Sequence, residues 1–242
     1  MEPRSVVAGR GIAWFGCGWR IFAANPGIWI VQAVLLLALF LLFAFVPLGG
    51  FVTTLAAPAL AAGLLHGAAD LQAGRTLEVG HLFRAFRDQG RLGPLLALGA
   101  VGLAAGILGT LIGVGFLGTG IMSGEPPAEA MVEHLGGRAL IALLLILAVQ
   151  LVAAALLYFA VPLVTFRGAA PLAAMQSSLR ACLRNILPLF VFSLIYALVA
   201  FVASLPLALG WLVLLPWSAC MLYCSYRDIY GDGPGGSDRA GA

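Results

Sequence analysis

Six apolar runs divide the chain, near residues 28–46, 50–67, 94–117, 139–161, 187–204 and 208–225. Each approaches the about 20 residues that a helix needs to cross the hydrocarbon of a bilayer. The runs are continuous and lack the period-two alternation of barrel strands, so they predict helices. Pro47, Gly49 and Gly50 split the first pair of runs, and Pro206 and Gly210 split the last. Proline and paired glycines interrupt a helix, so both breaks predict tight turns. A long polar lead precedes the first run and no A-x-A site follows it, which predicts a retained span and not a cleaved signal peptide.

Between the runs the pattern changes period. Leu172, Met175, Leu179, Cys182 and Leu183 share one helical face, with Gln176, Arg180 and Arg184 on another. Val79, Leu82, Phe83 and Phe86 form a second stripe opposite Glu78, His81, Arg84 and Arg87, and Phe15, Trp19 and Phe22 form a third beside Arg20. Spacings of i, i+3, i+4 and i+7 predict amphipathic helices. Each is followed by a proline, at Pro26, Pro94 and Pro188, where a new helix can begin because proline has no N–H to leave unpaired. Asn25 and Asn185 can cap the same corners. The second span after each corner carries a further proline, at Pro58, Pro162 and Pro216.

The fold class expected is therefore all-α integral membrane. Six transmembrane helices are arranged as three hairpins, each preceded by a cytoplasmic interfacial amphipathic helix. One polytopic domain covers 1–231, with repeats at about 10–69, 76–166 and 169–230, and 232–242 reads as a disordered Gly- and Ser-rich tail.

Composition strengthens the membrane reading. Of 242 residues 62% are apolar and only 10% charged, against roughly 25% charged in a soluble domain, and the mean hydropathy is +1.05. All thirteen basic residues are arginine. Twelve of the thirteen fall on one side of the six-span topology and only Arg138 on the other. By the positive-inside rule that side is the cytoplasm, which places the protein in a bacterial inner membrane with both termini cytoplasmic. The long outer loop carries Glu125, Glu129 and Glu133 instead. Arginines on half-apolar helices suit anionic headgroups, each contributing about 1 kcal/mol near the surface. Arg84, Arg87, Arg180 and Arg184 are the candidate lipid contacts, and nothing in the pattern points to nucleic acid.

Asn25-Pro26, the segment Leu71–Phe86, Asn185-x-x-Pro188 and the closing SYRDIYG at Ser225–Gly231 resemble a family of hypothetical six-span inner-membrane proteins of bacteria. The layout is also similar to the membrane domain fused to some glycerophosphodiester phosphodiesterases, here without the catalytic domain. The resemblance implies location and topology and brings no catalytic or binding residues with it.

Candidate chemistry is sparse. Gly99, Gly102, Gly106, Gly109, Gly113 and Gly120 form one stripe on the third span. Small residues let helix backbones approach closely in lipid, so this groove takes either another span of the chain or a second copy in a homo-oligomer. The middles of the spans lack ionisable residues, which counts against an ion-coupled carrier. Gln32 and Gln150 read as bonds to neighbouring helices. At the cytoplasmic ends His66, Asp70, Arg75, Arg227 and Asp228 form a candidate polar cluster, read either as local ion pairing or as a headgroup site built on the arginine fork. The four cysteines lie toward the reducing side and are expected as free thiols in apolar packing. Without CxxC or HxxxH spacing neither metal nor cofactor is expected. The leading expectation is a non-enzymatic membrane scaffold that engages lipids or a partner. The alternative is a small transporter or permease subunit with a path near Gln150, and a lipid-modifying enzyme using His66 and Asp70 comes third.

Overall fold

The computed structural model describes residues 2–122, 128–206 and 209–231, and the side chains of all of these but 89, 117–122 and 128–136. Of the outer glutamates, Glu125 lies outside the described residues, as does the tail from 232, while Gly120, Glu129 and Glu133 fall in helices at positions whose side chains are not described. Ten α-helices occur among the described residues: α1 (Arg10–Ala23), α2 (Pro26–Ala44), α3 (Gly49–Gln72), α4 (Arg84–Arg87), α5 (Gln89–Met122), α6 (Ala128–Leu157), α7 (Ala160–Arg167), α8 (Pro171–Arg184), α9 (Ile186–Ser204) and α10 (Trp211–Tyr230). A 3₁₀ turn at Val79–Phe83 precedes α4, and the described residues include no strand.

Five stretches are long and apolar enough to cross a membrane: Pro26–Ala44, Gly49–Gln72, Gly90–Phe116, Gly137–Arg167 and Ile186–Ser204. Large apolar side chains such as Leu41, Leu144, Leu151, Leu194 and Phe201 face outward along them, an exposure that soluble monomers avoid. The sixth run, α10, is not among the five. Tyr223, Ser225, Tyr226, Arg227 and Asp228 make its last turns polar, and most of these side chains are buried against protein. A helix enclosed by its neighbours does not need the hydropathy of one that faces lipid.

The amphipathic segments follow the sequence in two places and depart from it in the third. α1 and α8 are both 14 residues long, and the helices after them, α2 and α9, are both 19. The middle segment is instead the 3₁₀ turn plus one turn of α-helix. Gly80 weakens helix propensity there, and the Glu78 N–H bonds the His81 ring at 3.0 Å, which closes a tighter turn. The corners also differ from expectation. Pro26 opens α2 as the pattern requires, with Asn25 Oδ1 accepting the Ile28 N–H. Pro94, however, sits inside α5, because the chain turns earlier, at Asp88 in extended conformation (φ −89°, ψ 90°). The Asn185 side chain does not cap the start of α9; its Nδ2 donates back to the Ala181 carbonyl of α8 at 3.0 Å. It is used elsewhere, as described below.

Each amphipathic segment packs on the helix that ends the preceding third of the chain, counted cyclically. The 3₁₀ turn lies on α3, so closely that a Cβ at Gly63 would overlap the carbonyl oxygens of His81 and Leu82. α8 lies on α6 and α7, where Ser178 Oγ accepts the Phe159 N–H at 3.0 Å and donates to the Ala155 carbonyl at 2.7 Å. α1 lies on α9 and α10, with Gly18 against the Met221 backbone and Phe15 against Phe192 and Trp217. The last segment thereby meets the first and the ring closes. Its centre is solid at this end: Phe166 of α7 touches His66 of α3 and Tyr223 and Tyr226 of α10.

Candidate functional site

The ionisable side chains gather at one end of the bundle, where α3, α7, α8 and α10 finish and α1 and α5 begin. The candidate cluster divides there into two networks. In the first, Asp70 accepts from Arg75 Nε at 2.9 Å, His81 Nε2 at 2.8 Å and Arg84 Nη1 at 3.2 Å. The carboxylate is 11% exposed, so three donors compensate its loss of water. His81 Nδ1 lies 3.0 Å from both the N–H and the carbonyl of Glu78. Both ring nitrogens are therefore occupied, and neither is free to act as a base on a substrate.

In the second network Asp228 receives Arg10 as a fork, at 2.7 Å from Nε and 2.8 Å from Nη2, and the Trp14 indole N–H at 2.9 Å. The Asp228 carboxylate holds the Arg10 guanidinium more firmly charged than in water, against the opposing effect of burial. Arg4 adds a bond from Nη2 to the Asp228 carbonyl at 3.2 Å. Arg227 turns away and stacks over Tyr223, 5.8 Å from the ring centre. Asp70 and Arg75 thus pair as expected. Asp228 joins Arg10 and Trp14 instead of Arg75, and His66 packs edge-on to Phe166.

A third set of contacts ties the N-terminal residues down. Asn185 Oδ1 accepts the Val6 N–H at 2.8 Å while its Nδ2 donates to the Arg4 carbonyl at 2.9 Å. Arg184 donates to the Pro3 carbonyl at 3.1 Å, and the Arg4 N–H bonds the Ile229 carbonyl at 2.8 Å. The fully buried Asn185 amide matches a peptide group donor for acceptor, which is why it does not serve as a cap. The sequence signal was the asparagine itself; its long-range partner was not legible.

Of the four candidate headgroup arginines, two are therefore engaged: Arg84 by Asp70 and Arg184 by Pro3. Arg87 and Arg180 are exposed and have no hydrogen-bond or ion-pair partner among the described residues, and Arg20 of α1, which was not singled out, is in the same state. Each of the three segments thus presents one unengaged guanidinium. Exposed apolar side chains lie beside them: Trp19, then Phe83 and Phe86, then Leu172 and Leu183.

The glycine stripe is divided between neighbours. A Cβ at Gly99 would overlap the Leu55 carbonyl of α3, whereas Gly102 faces Leu157 and Gly109 and Gly113 face Ile146 of α6. Gly106 has nothing within 4 Å of such a Cβ. Beyond the Gly99 crossing α3 and α5 diverge around an apolar cavity of about 500 Å³. The two span glutamines bond their neighbours as expected, Gln32 Nε2 to the Glu78 carbonyl at 2.9 Å and Gln150 Nε2 to the Ala105 carbonyl at 3.4 Å.

The cysteines correct the sequence reading. Cys17 and Cys224, on α1 and α10, form a disulfide with their Cα atoms 6.2 Å apart. The i, i+4 pair Cys220 and Cys224 obscured it, since the partner is distant in sequence. Cys182 and Cys220 remain free, and burial pushes the Cys182 thiol up to about 11, which leaves it un-ionised and inert near neutrality. No group of His, Cys, Asp and Glu able to hold a metal ion occurs among the described residues.

No protein-family model matches the chain, nor does any curated protein or solved structure.

Proposed function

We propose that this protein is a six-span bacterial inner-membrane protein with both termini in the cytoplasm, and that it is a non-enzymatic scaffold holding anionic lipid at its inner face. Five spans follow from helix length and hydropathy, and α10 is the sixth. Its polar turns lie against protein, and the arginine-rich ends of its neighbours lie level with them. The three hairpins are α2 with α3, α5 with α6 and α7, and α9 with α10.

The observation that carries the lipid reading is the division among the inner-face arginines. Arg10, Arg75, Arg84, Arg167 and Arg184 bond protein groups, whereas Arg20, Arg87 and Arg180 stand unengaged beside exposed aromatic and leucine side chains. A guanidinium at that height meets phosphate, and the apolar neighbours meet acyl chains. The engagement of Asp70 by Arg75, His81 and Arg84 and the packing of His66 on Phe166 speak against acid–base chemistry by Asp70 and His66. The bond from Gln150 to Ala105 speaks against a polar path there.

Retention of phosphatidylglycerol by purified protein in mixed-lipid nanodiscs tests this reading. The triple variant Arg20→Gln, Arg87→Gln, Arg180→Gln should lose most of the anionic-lipid enrichment while remaining folded. Equal enrichment in the variant, or saturable solute uptake by wild-type proteoliposomes, would overturn it.

A further inference from the structure

We propose that the Cys17–Cys224 disulfide is a redox latch closing the ring of three segments at the one seam that chain continuity does not hold. Two of the joins in the ring are made by neighbouring stretches, since the 3₁₀ turn follows α3 and α8 follows α7. The third join, α1 against α10, brings opposite ends of the chain together, and the disulfide with its sequence separation of 207 stands there. The same seam holds the Arg10 fork and the Trp14 indole on Asp228, and the clamp of Asn185 on residues 4 to 6.

The seam thus has one covalent bond amid polar contacts that can re-form. Cys224 is buried at 5% exposure whereas Cys17 is half-buried, so a reductant reaches the bond from the Cys17 side. Cys182 lies on α8 against the Ala155 carbonyl, and Cys220 is fully buried. The chemistry is a two-electron exchange with a dithiol. One thiolate of the reductant attacks Cys17 Sγ and breaks the S–S bond, and Cys224 leaves as a thiolate that takes up a proton. The second thiol of the reductant then resolves the mixed disulfide, freeing Cys17 as a thiol and leaving the reductant as its own disulfide.

Reduction leaves α1 attached through Asp228, the Asn185 clamp on residues 4 to 6 and side-chain packing. α1 carries Arg20 and the exposed Trp19, so its freedom sets how one third of the inner face meets lipid. With this end in the cytoplasm, as proposed above, the reduced form prevails at rest, and the reverse exchange with a disulfide reagent, which is reduced to its dithiol, closes the seam. That step rests on the proposed orientation; the latch itself does not.

The test uses the full chain in nanodiscs, with alkylation and hydrogen exchange read by mass spectrometry before and after a dithiol. Oxidised protein should yield a cross-linked Cys17–Cys224 peptide pair that resists alkylation. Complete reduction should make both thiols reactive and speed exchange across α1 by about tenfold or more, with α3 and α5 unchanged. Cys17→Ser should show the fast α1 exchange with no response to dithiol. If that variant fails to accumulate, the wild-type comparison decides alone. Unchanged α1 exchange after full reduction would overturn the proposal, as would failure of the pair to cross-link under a mild oxidant.

Discussion

Asp70 and Asp228 occupy equivalent places in two helices. Pro58 to Asp70 in α3 spans the same number of residues as Pro216 to Asp228 in α10. Each carboxylate receives its donors from the amphipathic segment next round the ring: His81 and Arg84 for Asp70, Arg10 and Trp14 for Asp228. Both carboxylates are largely withdrawn from water, at 11% and 16% exposure, and a carboxylate left there without donors is costly. The matched pair gives two of the joins a shared electrostatic logic: the acid near the end of a helix secures the amphipathic segment packed on it. The third join has no such acid: at the same distance beyond Pro162 the chain has already entered α8, at Ala174, and Ser178 of α8 makes the join through its bonds to Ala155 and Phe159.

The Asp228 junction should therefore be worth more than an exposed ion pair. Asp228→Asn keeps the shape but removes the charge that the Arg10 fork and Trp14 N–H address, and should cost about 2–3 kcal/mol. Trp14→Phe removes the indole donor and also leaves a void where the second ring was buried, and should cost about 2–3 kcal/mol. Thermal unfolding in detergent measures both, and a double-mutant cycle with Arg10→Gln should show coupling well above zero.

The glycine stripe separates into positions that cannot change and one that can. Gly99→Ala drives a methyl into the Leu55 carbonyl and forces α3 and α5 apart, at about 1–3 kcal/mol. Gly106→Ala meets open space and should be neutral or stabilising by about 0.5–1 kcal/mol through helix propensity. Equal loss of thermal stability in the two would refute the packing described here and point to a second copy covering Gly106.

How much of this was legible beforehand follows from range. Helix-forming runs, the Pro26 corner and the amphipathic faces of α1 and α8 are local, and periodicity reports them. The turn at Val79–Phe83 was misread because its apolar spacing suits a helix while Gly80 and the Glu78–His81 bond favour a tighter winding. Pro94 misled because a proline early in a helix looks the same as one at its start. The Asp70–Arg75 pair was visible as a short loop between opposite charges. Asp228 with Trp14, Asn185 with Val6 and Cys17 with Cys224 were not, since only the closing of the ring makes them neighbours.

Arg84 and Arg87 offer a direct separation of stability from lipid contact. Arg84 is committed to Asp70 yet about half exposed, so Arg84→Gln should cost about 0.5–1 kcal/mol of stability and leave phosphatidylglycerol retention near wild type. Arg87 has no protein partner among the described residues, so Arg87→Gln should leave the melting temperature unchanged and weaken lipid retention by about 1 kcal/mol. Measuring both quantities on both variants distinguishes them, and a reversed pattern would remove the basis for the lipid reading.

Asn185 and Asn25 look alike in sequence, each before a spanning helix, but their side chains do different work. Asn25→Ala removes a local cap and should cost about 0.5–1 kcal/mol, with no effect on the N-terminal residues. Asn185→Ala strips the Val6 N–H and the Arg4 carbonyl of their bonds and leaves residues 3 to 6, the strap, held by Arg4 to Ile229 and Asp228 and by Arg184 to Pro3. The strap is short and frays once its partners are lost, so limited proteolysis should cut ahead of Arg10 several-fold faster in Asn185→Ala than in either wild type or Asn25→Ala. Asn185→Asp tests the pairing itself. Its carboxylate still accepts the Val6 N–H but offers the Arg4 carbonyl no donor and repels it, so cleavage should again be fast although the side chain is nearly isosteric. Slow cleavage in Asn185→Asp would mean that packing at the corner, and not the matched amide, holds the strap in place.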